Sequence, residues 1–377
     1  MSAFAIPTDE QRALRETAMA FLAGHANARS GRDGDAALWQ TMAELGWPAV
    51  LVPEEFGGLG LGVAEAVVLL EEMGRSLTRS PFFSTVALAQ PLLLHAATEE
   101  ACQRWLPGLA EGSATATVIA ADGLAPAFRP DELAIRACRR GDRWELQGCA
   151  EQVLDGDGAD MAFVVAELED GACGLFHVPA DTPGLQRSAL ESWDSTRPQG
   201  RWVFDGVQLP LEARIDRPAG FVAGVAHALQ LAALMLAAEQ VGGAARCLEL
   251  TVAYTGERRQ FGRAISGFQA VKHRCAQMMV KLETARSALQ GALATLELDE
   301  QAVASEIAVA RVLATEAYRF CAAEAIQLHG GVGFTWEYDP QLHFKRAQWA
   351  SHWFGDADAW RDAVADCVLG RVTERHQ

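Results

Sequence analysis

Hydrophobic and polar residues recur with a helical period at both ends of this chain, whereas the middle has short apolar runs between turns. The first part contains amphipathic runs at residues 11–23, 36–45, 63–73 and 87–97. Thr8-Asp9-Glu10 is a helix-start signal before the first run, and Gly24 is expected to end that helix. Because apolar residues three and four positions apart share one helix face, residues 1–115 are predicted to form a helical domain.

The middle and the last part of the chain predict two different architectures. Short apolar runs separated by Gly, Asp and Pro indicate a small antiparallel barrel or sandwich at 116–215. These runs lie at 116–121, 133–138, 143–148, 161–166, 174–178 and 201–204. Long helical runs predict a four-helix bundle at 216–377. They lie at 221–254, 268–296, 300–329 and 341–369.

Composition excludes several classes of function. The 377 residues include 49 Asp and Glu against 32 Lys and Arg, a net charge of −17, which argues against nucleic acid and anionic membranes as partners. The apolar run at 221–238 is broken by Gly224, His227 and Gln230 and is expected to be too short and too interrupted to span a bilayer, so a buried helix is favoured. The N-terminus lacks the pattern of a signal peptide, and eight cysteines occur without a C-x-x-C pair. We therefore expect a cytoplasmic protein with reduced thiols and no metal site.

Two groups of ionisable residues are given structural interpretations. His273, His329 and His352 lie far apart without the spacing of metal ligands, so they are interpreted as structural. The pair Glu71-Glu72 is predicted to lie on a solvated helix face and not to act as an acid–base pair.

Candidate chemistry begins at the end of the first long C-terminal helix. The stretch 254–269 reads Y-T-G-E-R-R-Q-F-G-R-A-I-S-G-F-Q, with Arg258, Arg259 and Arg263 around Phe261 and Gly262. Glycine allows a turn or a close approach, and guanidinium groups hold phosphate bidentately. A phosphate site and a plain surface turn are both consistent with this stretch alone.

A second stretch follows about sixty residues later. Residues 327–338 read Q-L-H-G-G-V-G-F-T-W-E-Y, and Gly330-Gly331 after His329 is a signal for the end of a helix. Taken alone, this stretch is also explained by an ordinary helix cap.

Together the two stretches resemble the acyl-CoA dehydrogenase family, whose C-terminal domain carries R-x-x-F-G-x-x-I-x-x-F-Q and Q-x-x-G-G-x-G-F. The resemblance implies an α+β fold with an N-terminal helical domain, a middle β-barrel and a C-terminal four-helix bundle. It also implies that FAD of a neighbouring subunit is bound through these motifs. The implied FAD contacts are Arg258, Phe261, Gln269, Gln327, Gly330 and Gly331.

The family reaction implies a catalytic carboxylate that removes an α-proton from an acyl-CoA while the flavin takes the β-hydride. The usual glutamate position falls on Gly355, and a second family position falls on Ala232, so neither usual base is present. Asp356, next to Gly355, remains a candidate base if the alignment slips by one residue. The alternative interpretation of Asp356, which we favour, is the N-cap of the helix that follows.

The flavin-ring segments of the middle domain also depart from the family pattern. T-E-P-x-x-G-S-D is replaced by A-A-D-G-L-A-P-A-F at 120–128, where Asp122 keeps a polar group. The Trp-Ile-Ser/Thr segment is replaced by Gln-Val-Leu-Asp at 152–155. One half of a shared site is kept and the other half has lost its chemical groups.

This asymmetry resembles the base-lacking subunit of heteromeric α2β2 family members from fatty acid or steroid side-chain catabolism. We therefore expect FAD-dependent dehydrogenation of a CoA thioester to 2-enoyl-CoA, with a paralogous subunit as partner and an electron-transferring flavoprotein as electron acceptor. Two alternatives stay open: a self-sufficient homo-oligomer using Asp356 or another base, and a non-enzymatic partner that stabilises a catalytic paralogue. The acyl group is not specified by the sequence.

Overall fold

The computed structural model describes residues 7–26, 28–29, 32–120, 128–298 and 303–369. Helices come first, a sheet follows, and helices return to the end of the described chain. The N-terminal helices are α1 (Asp9–His25), α2 (Arg32–Glu44), α3 (Val63–Ser76), α4 (Gln90–Ala96) and α5 (Glu99–Glu111), with a π-helical segment Phe83–Ala89 leading into α4. The predicted order of helices, strands and helices is confirmed.

Helix α1 shows how local sequence fixes an element. Thr8 Oγ1 accepts from Gln11 N at 3.1 Å, and Thr8 N donates to Gln11 Oε1 at 3.1 Å, which completes a capping box. The predicted start is therefore confirmed. The predicted end at Gly24 is wrong, because the glycine stays helical and α1 continues to His25.

A seven-stranded sheet forms the middle of the chain. Its strands are β1 (Ala116–Ile119), β2 (Ile135–Arg140), β3 (Arg143–Leu154), β4 (Met161–Leu168), β5 (Cys173–Pro179), β6 (Leu185–Ala189) and β7 (Gln199–Pro210). The order is β1-β4-β2-β3-β7-β6, and β5 also pairs with β4. The expectation of purely antiparallel strands is wrong, since β1 and β2 both run parallel to β4. Strand β6 was not predicted; its burial pattern is mostly exposed, which gives it little apolar signal.

One apolar core lies against this sheet. Large side chains without exposed surface, among them Phe176, Trp202 and Phe204, pack with Leu146 and Val178. Burying such side chains contributes roughly 1.5–3 kcal/mol each relative to exposure, so the sheet has a substantial core of its own.

The C-terminal part consists of long helices joined by a short hairpin. Its elements are α6 (Phe221–Glu257), β8 (Arg259–Gln260), β9 (Arg263–Ala264), α7 (Gln269–Leu298), α8 (Ala304–His329), α9 (Pro340–Ala350) and α10 (Ala357–Leu369). Helix α6 is long and apolar enough to cross a membrane by length and composition, but 72% of its most apolar window is buried. The buried-helix prediction is thus confirmed, whereas the expectation that this run is too short for a bilayer is wrong, because the helix has 37 residues. The run 341–369 is not one helix, because Phe354 and Gly355 adopt positive φ values of 62° and 86°.

Contacts within the chain define two compact units. One comprises residues 1–29, 67–78 and 233–377, and the other comprises 30–66 and 79–232. Helix α6 contributes residues to both. The three domains drawn from the sequence, at 1–115, 116–215 and 216–377, stay predictions.

The pair Glu71-Glu72 is not on a solvated face, and that prediction is wrong. Both residues are buried, and Arg15 from α1 donates to Glu71 at 2.6 Å and to Glu72 at 2.9 Å. Arg75 and Arg286 add further ion pairs. Burial alone raises the pKa of Glu71, but Arg15 and Arg286 outweigh it and hold that pKa below its ordinary value. Burial raises the pKa of Glu72, against Arg75 and Arg15.

Candidate FAD-binding site

The arginine-rich stretch forms a two-residue β-hairpin after α6. Arg259 pairs with Ala264 and Gln260 pairs with Arg263, so Phe261 and Gly262 occupy the turn with φ values of 52° and 79°. Positive φ at both turn positions is the type I′ arrangement that joins twisted strands. Glycine adopts it freely, but phenylalanine pays a steric cost. Phe261 is nevertheless 91% exposed at the tip.

The hairpin and the start of α7 carry several cations. Residues 258–274 contain five Arg and Lys and no Asp or Glu. Arg258, Arg259 and Lys272 are exposed, and within the described part of the chain their side chains make no hydrogen bond or ion pair. Arg263 lies over the ring of Phe268 at 4.1 Å. Unpaired cations in so acidic a chain suit an anionic ligand, and guanidinium suits phosphate in particular.

The glycines after α8 open space beside the second motif. Gly330 has φ 64° and ψ −143°, a conformation that only glycine adopts without strain, which confirms the predicted helix end at His329. A Cβ atom added to Gly330 or Gly331 would meet no atom within 4 Å. Gln327, one turn earlier, is exposed. A ligand can therefore approach this backbone closely.

A stack of rings joins the two motifs. Tyr254, at the end of α6, stacks on His329, at the end of α8, with centroids 4.3 Å apart and an interplanar angle of 19°. Tyr338 packs edge-on to both rings. His329 Nδ1 donates to Ala325 O at 2.6 Å, and burial lowers the pKa of His329. The structural role predicted for His329 is therefore to pack between the two motifs. The sequence reasoning missed the part that Tyr254 and Tyr338 take in this packing, although they are end residues of the two stretches.

Other aromatic side chains near the motifs are exposed. Phe334 is 71% exposed and Trp336 is 62% exposed, with the Lys345 ammonium 5.0 Å from the Trp336 ring centroid. Gln269, the first residue of α7, is exposed as well. Exposed apolar side chains that cluster in this way are typical of a binding surface.

The positions expected for a catalytic base offer no buried carboxylate. Ala232 lies in α6 with no exposed surface, and Gly355 has φ 86° in the turn before α10. Asp356 is exposed, and its Oδ1 accepts from Ala359 N at 2.9 Å, which is N-cap geometry. A base that removes a weakly acidic proton needs surroundings that exclude water. A catalytic role for Asp356 stays a prediction.

A buried arginine that the sequence reasoning missed holds the segment before this turn. Arg311 of α8 has no exposed surface and donates to Ala350 O at 2.5 Å and Trp353 O at 2.7 Å. It also donates to Gln240 and Thr315. Burial lowers the pKa of Arg311 to about 9, against the charge of Glu239. The only sequence signal was one arginine within the apolar run V-A-R-V-L.

The segment 152–155 in the sheet is buried at its centre, and side chains from other strands donate hydrogen bonds to backbone carbonyls at its end. Val153 and Leu154 are each 1% exposed, and Thr117 Oγ1 donates to Leu154 O at 2.7 Å. Trp202 Nε1 donates to Gly156 O at 2.7 Å. These donors are therefore satisfied by the chain's own backbone. The related prediction for 120–128, including Asp122, lies outside the described residues apart from Ala120 and Phe128.

Sequence comparison identifies both helical parts. The acyl-CoA dehydrogenase N-terminal domain model matches residues 8–113, and the C-terminal domain model matches residues 221–369. Acyl-CoA dehydrogenase IpdE2 of Mycolicibacterium smegmatis is 33% identical over 363 residues, covering 92% of this chain and 95% of that protein. This chain belongs to the acyl-CoA dehydrogenase family. It is accordingly an oxidoreductase of the class acting on CH–CH groups, and members of the family bind FAD.

Solved structures of this family share the fold over nearly the whole chain. A chain of the Tcur3481-Tcur3483 steroid ACAD variant is 30% identical with a TM-score of 0.84, covering 97% of this chain and 99% of that chain. A chain of the ChsE4-ChsE5 complex from Mycobacterium tuberculosis is 26% identical with a TM-score of 0.86 and the same coverage.

The residues present fit one half of FAD better than the other. The unpaired arginines and the open Gly330-Gly331 backbone suit the pyrophosphate and adenosine. In the sheet, Thr117 Oγ1 donates to Leu154 O, and Val153 and Leu154 carry no polar side chain. The assignments of Arg258, Phe261, Gln269, Gln327, Gly330 and Gly331 as FAD contacts stay predictions.

Proposed function

We propose that this chain is the base-lacking subunit of a heteromeric acyl-CoA dehydrogenase. It supplies distal FAD contacts to a paralogous subunit that carries the catalytic base. The single observation that carries the proposal is the hairpin tip, where Phe261 is 91% exposed on a strained backbone beside unpaired Arg258. Such strain persists where a binding function requires it.

Each motif residue has a physical task in this proposal. Arg258 holds a pyrophosphate oxygen pair through its guanidinium, and Phe261 packs against the bound dinucleotide. Gly330 and Gly331 let the backbone approach the adenosine, with Gln327 as a hydrogen-bonding partner. When bound, FAD would serve as the acceptor of the β-hydride. The stack of Tyr254 on His329 keeps the two motifs in a fixed relation.

The chain's own carboxylates support assignment of the base to the partner. Asp356 is exposed and its Oδ1 caps a helix, and the usual base position is occupied by Gly355. The proposed partner therefore contributes both the base and the flavin-ring pocket. Two of the similar solved structures are described as two-protein assemblies, Tcur3481-Tcur3483 and ChsE4-ChsE5.

The remaining assignments follow from this role. The proposed substrate is a CoA thioester of fatty acid or steroid side-chain catabolism, and the product is the 2-enoyl-CoA. The proposed electron acceptor is an electron-transferring flavoprotein, and the proposed location is the cytoplasm.

The visible flavin spectrum tests the proposal. The chain is purified alone and after co-expression with a family paralogue that retains the base glutamate, and acyl-CoAs are added without oxygen. We expect a colourless chain alone and a flavoprotein complex that bleaches with substrate. A yellow chain that bleaches alone would instead establish a self-sufficient enzyme.

Substitution of Arg258 tests the remaining alternative, a non-enzymatic partner that stabilises a catalytic paralogue. Arg258→Ala in the complex should lower its FAD content, because the pyrophosphate loses its bidentate partner. Arg319→Ala is the matched control, since Arg319 is exposed on α8 and makes no hydrogen bond or ion pair with the described residues. Unchanged FAD content in Arg258→Ala would identify a partner that does not contact the flavin.

A further inference from the structure

A cavity lies within the unit that contains the C-terminal helices, next to the end of the second motif, since Asp339 of its lining directly follows Tyr338. Its volume is about 410 Å³, within the range of small-molecule sites. Its lining includes the apolar side chains of Met19, Leu22, Ala23 and Leu77. The lining also includes arginines, carboxylates and a histidine.

Three guanidinium groups from separate elements line this cavity. Arg246 of α6 has a single ion pair among the described residues, with Glu249 at 3.6 Å, and makes no hydrogen bond there. Arg75 of α3 pairs with Glu72 and Glu249, and Arg29 pairs with Asp339 at 2.7 Å. Arg246 thus retains its donors for a ligand.

The charges around this cavity are nearly balanced. Three arginines of the lining face two carboxylates, Glu72 and Asp339, and both carboxylates are already engaged by arginines. Glu249 pairs with Arg75 at 2.8 Å and with Arg246 at 3.6 Å, so it balances the third arginine. The long distance to Glu249 leaves Arg246 without a hydrogen bond among the described residues, and a guanidinium in that position suits an anionic head group.

A buried histidine completes the cavity. His343 is 2% exposed, and its Nδ1 lies 3.0 Å from Tyr318 Oη. The other ring nitrogen has no hydrogen-bond partner within the described part of the chain. Burial lowers the pKa of His343 to about 3; Asp339 opposes this shift, whereas Arg246, Arg346 and Arg75 add to it. The imidazole is therefore neutral. When Tyr318 donates to Nδ1, the proton of the ring is on Nε2, which can then donate to a ligand.

We propose that this cavity binds an amphiphilic anion, with its oxyanion head on Arg246 and His343 and its apolar body against Met19 and Leu22. A carboxylate and a phosphate monoester share the required chemistry. All residues of the site belong to this chain, and one of them, Arg29, donates to Trp336 O of the second motif at 2.8 Å.

Calorimetric titration of the isolated chain tests the site. The probes are octanoate, monooctyl phosphate and octanamide, the last being the uncharged match of octanoate. We expect octanoate or monooctyl phosphate to bind at least about tenfold more tightly than octanamide, because hydrogen bonds to charged groups are the stronger ones. The better of the two anions identifies the head group.

Two variants localise the binding. Arg246→Met keeps the apolar stem and removes the charge, and it should weaken the preferred anion at least about tenfold. Arg361→Met is the control, because Arg361 is exposed on α10 and pairs with Glu316 and Asp358 outside the cavity. Thermal unfolding without ligand verifies that both variants fold.

Three outcomes would overturn the proposal: no heat from either anion up to about 10 mM, equal affinity for octanamide and the better-binding anion, or full affinity for that anion in Arg246→Met. A loss in Arg246→Met with retention in Arg361→Met supports it, whatever the flavin content of the chain.

Discussion

Gly242 lies directly against the backbone of Glu71, so that a Cβ atom at Gly242 would come within 1.8 Å of the Glu71 carbonyl oxygen. The contact is reciprocal, since a Cβ at Gly74 would come within 2.0 Å of Glu239 O. Helices α3 and α6 therefore cross with their backbones in contact. This close crossing also brings the carboxylates of α3 into the interior.

We expect Gly242→Ala to destabilise the protein by about 3 kcal/mol or more, because backbone atoms must move apart to admit one methyl group. Urea unfolding measures the change. Gly291→Ala in α7 is the matched control, since a Cβ there meets nothing within 4 Å. Alanine at that position should stabilise by about 0.5–1 kcal/mol through helix propensity. Equal effects at both positions would contradict the close crossing.

Phe261→Gly should separate stability from flavin binding. Glycine removes the steric cost of positive φ, so the free energy of unfolding of the isolated chain should rise by up to about 1 kcal/mol. The FAD content of the assembled protein should fall, because the ring is lost. Phe261→Asn tests the same point, since Asn also tolerates this conformation. Full FAD content in both variants would exclude a flavin contact at the tip.

Asp356 should behave as a helix cap. Asp356→Ala should lower the free energy of unfolding by about 1 kcal/mol, whereas Asp356→Asn should change it by a few tenths, because Asn caps equally well. Turnover of the assembled enzyme with an acyl-CoA should remain within about twofold in both variants. Loss of turnover in the stable Asn variant would instead identify Asp356 as the base.

Buried histidines should make the protein less stable in acid. Burial lowers the pKa of His343 to about 3 and of His177 to about 4, with Arg104 adding to the second shift. Between these values and the ordinary pKa of about 6.5, the unfolded chain binds more protons than the folded chain. The stability that the neutral histidines contribute is therefore fully present above pH 6.5 and is lost as the pH falls toward 3.

Urea unfolding at pH 7.5, 6 and 5 measures this dependence. Each histidine contributes a slope of up to about 1.4 kcal/mol per pH unit. His343→Gln should flatten the profile relative to the unchanged chain, and His177→Gln should do so separately. Parallel profiles for all three proteins would show that neither ring resists protonation in the folded state.

Local signals in the sequence predicted much of this fold. The capping residues at Thr8 and the glycine at 330 act on neighbouring backbone groups, so their effects are readable from a few residues. The order of helices and strands follows from hydrophobic period in the same way. The family resemblance came from two stretches of sequence. The fold brings these stretches together through the stack of Tyr254 on His329.

Long-range partners were not readable in this way. Glu71 resembles a surface residue until Arg15, 56 positions earlier, is placed beside it. The break before α10 depends on positive φ at Phe354, a residue that gives no signal for it. Parallel pairing of β1 with β4 joins strands separated by more than forty residues. Such features arise from tertiary contacts, which a single sequence does not display.

The division of the chain into units has a consequence for its synthesis. The unit that begins with residues 1–29 is completed only by residues 233–377, whereas the other unit is built from segments between them. On the ribosome, α3 is available to the first helix early, but the long helices that complete their unit exist only when nearly the whole chain has been made. Contacts so distant in sequence also slow folding. A protein truncated near its C-terminus should therefore be cleared as an unfolded fragment, even though its N-terminal residues are intact.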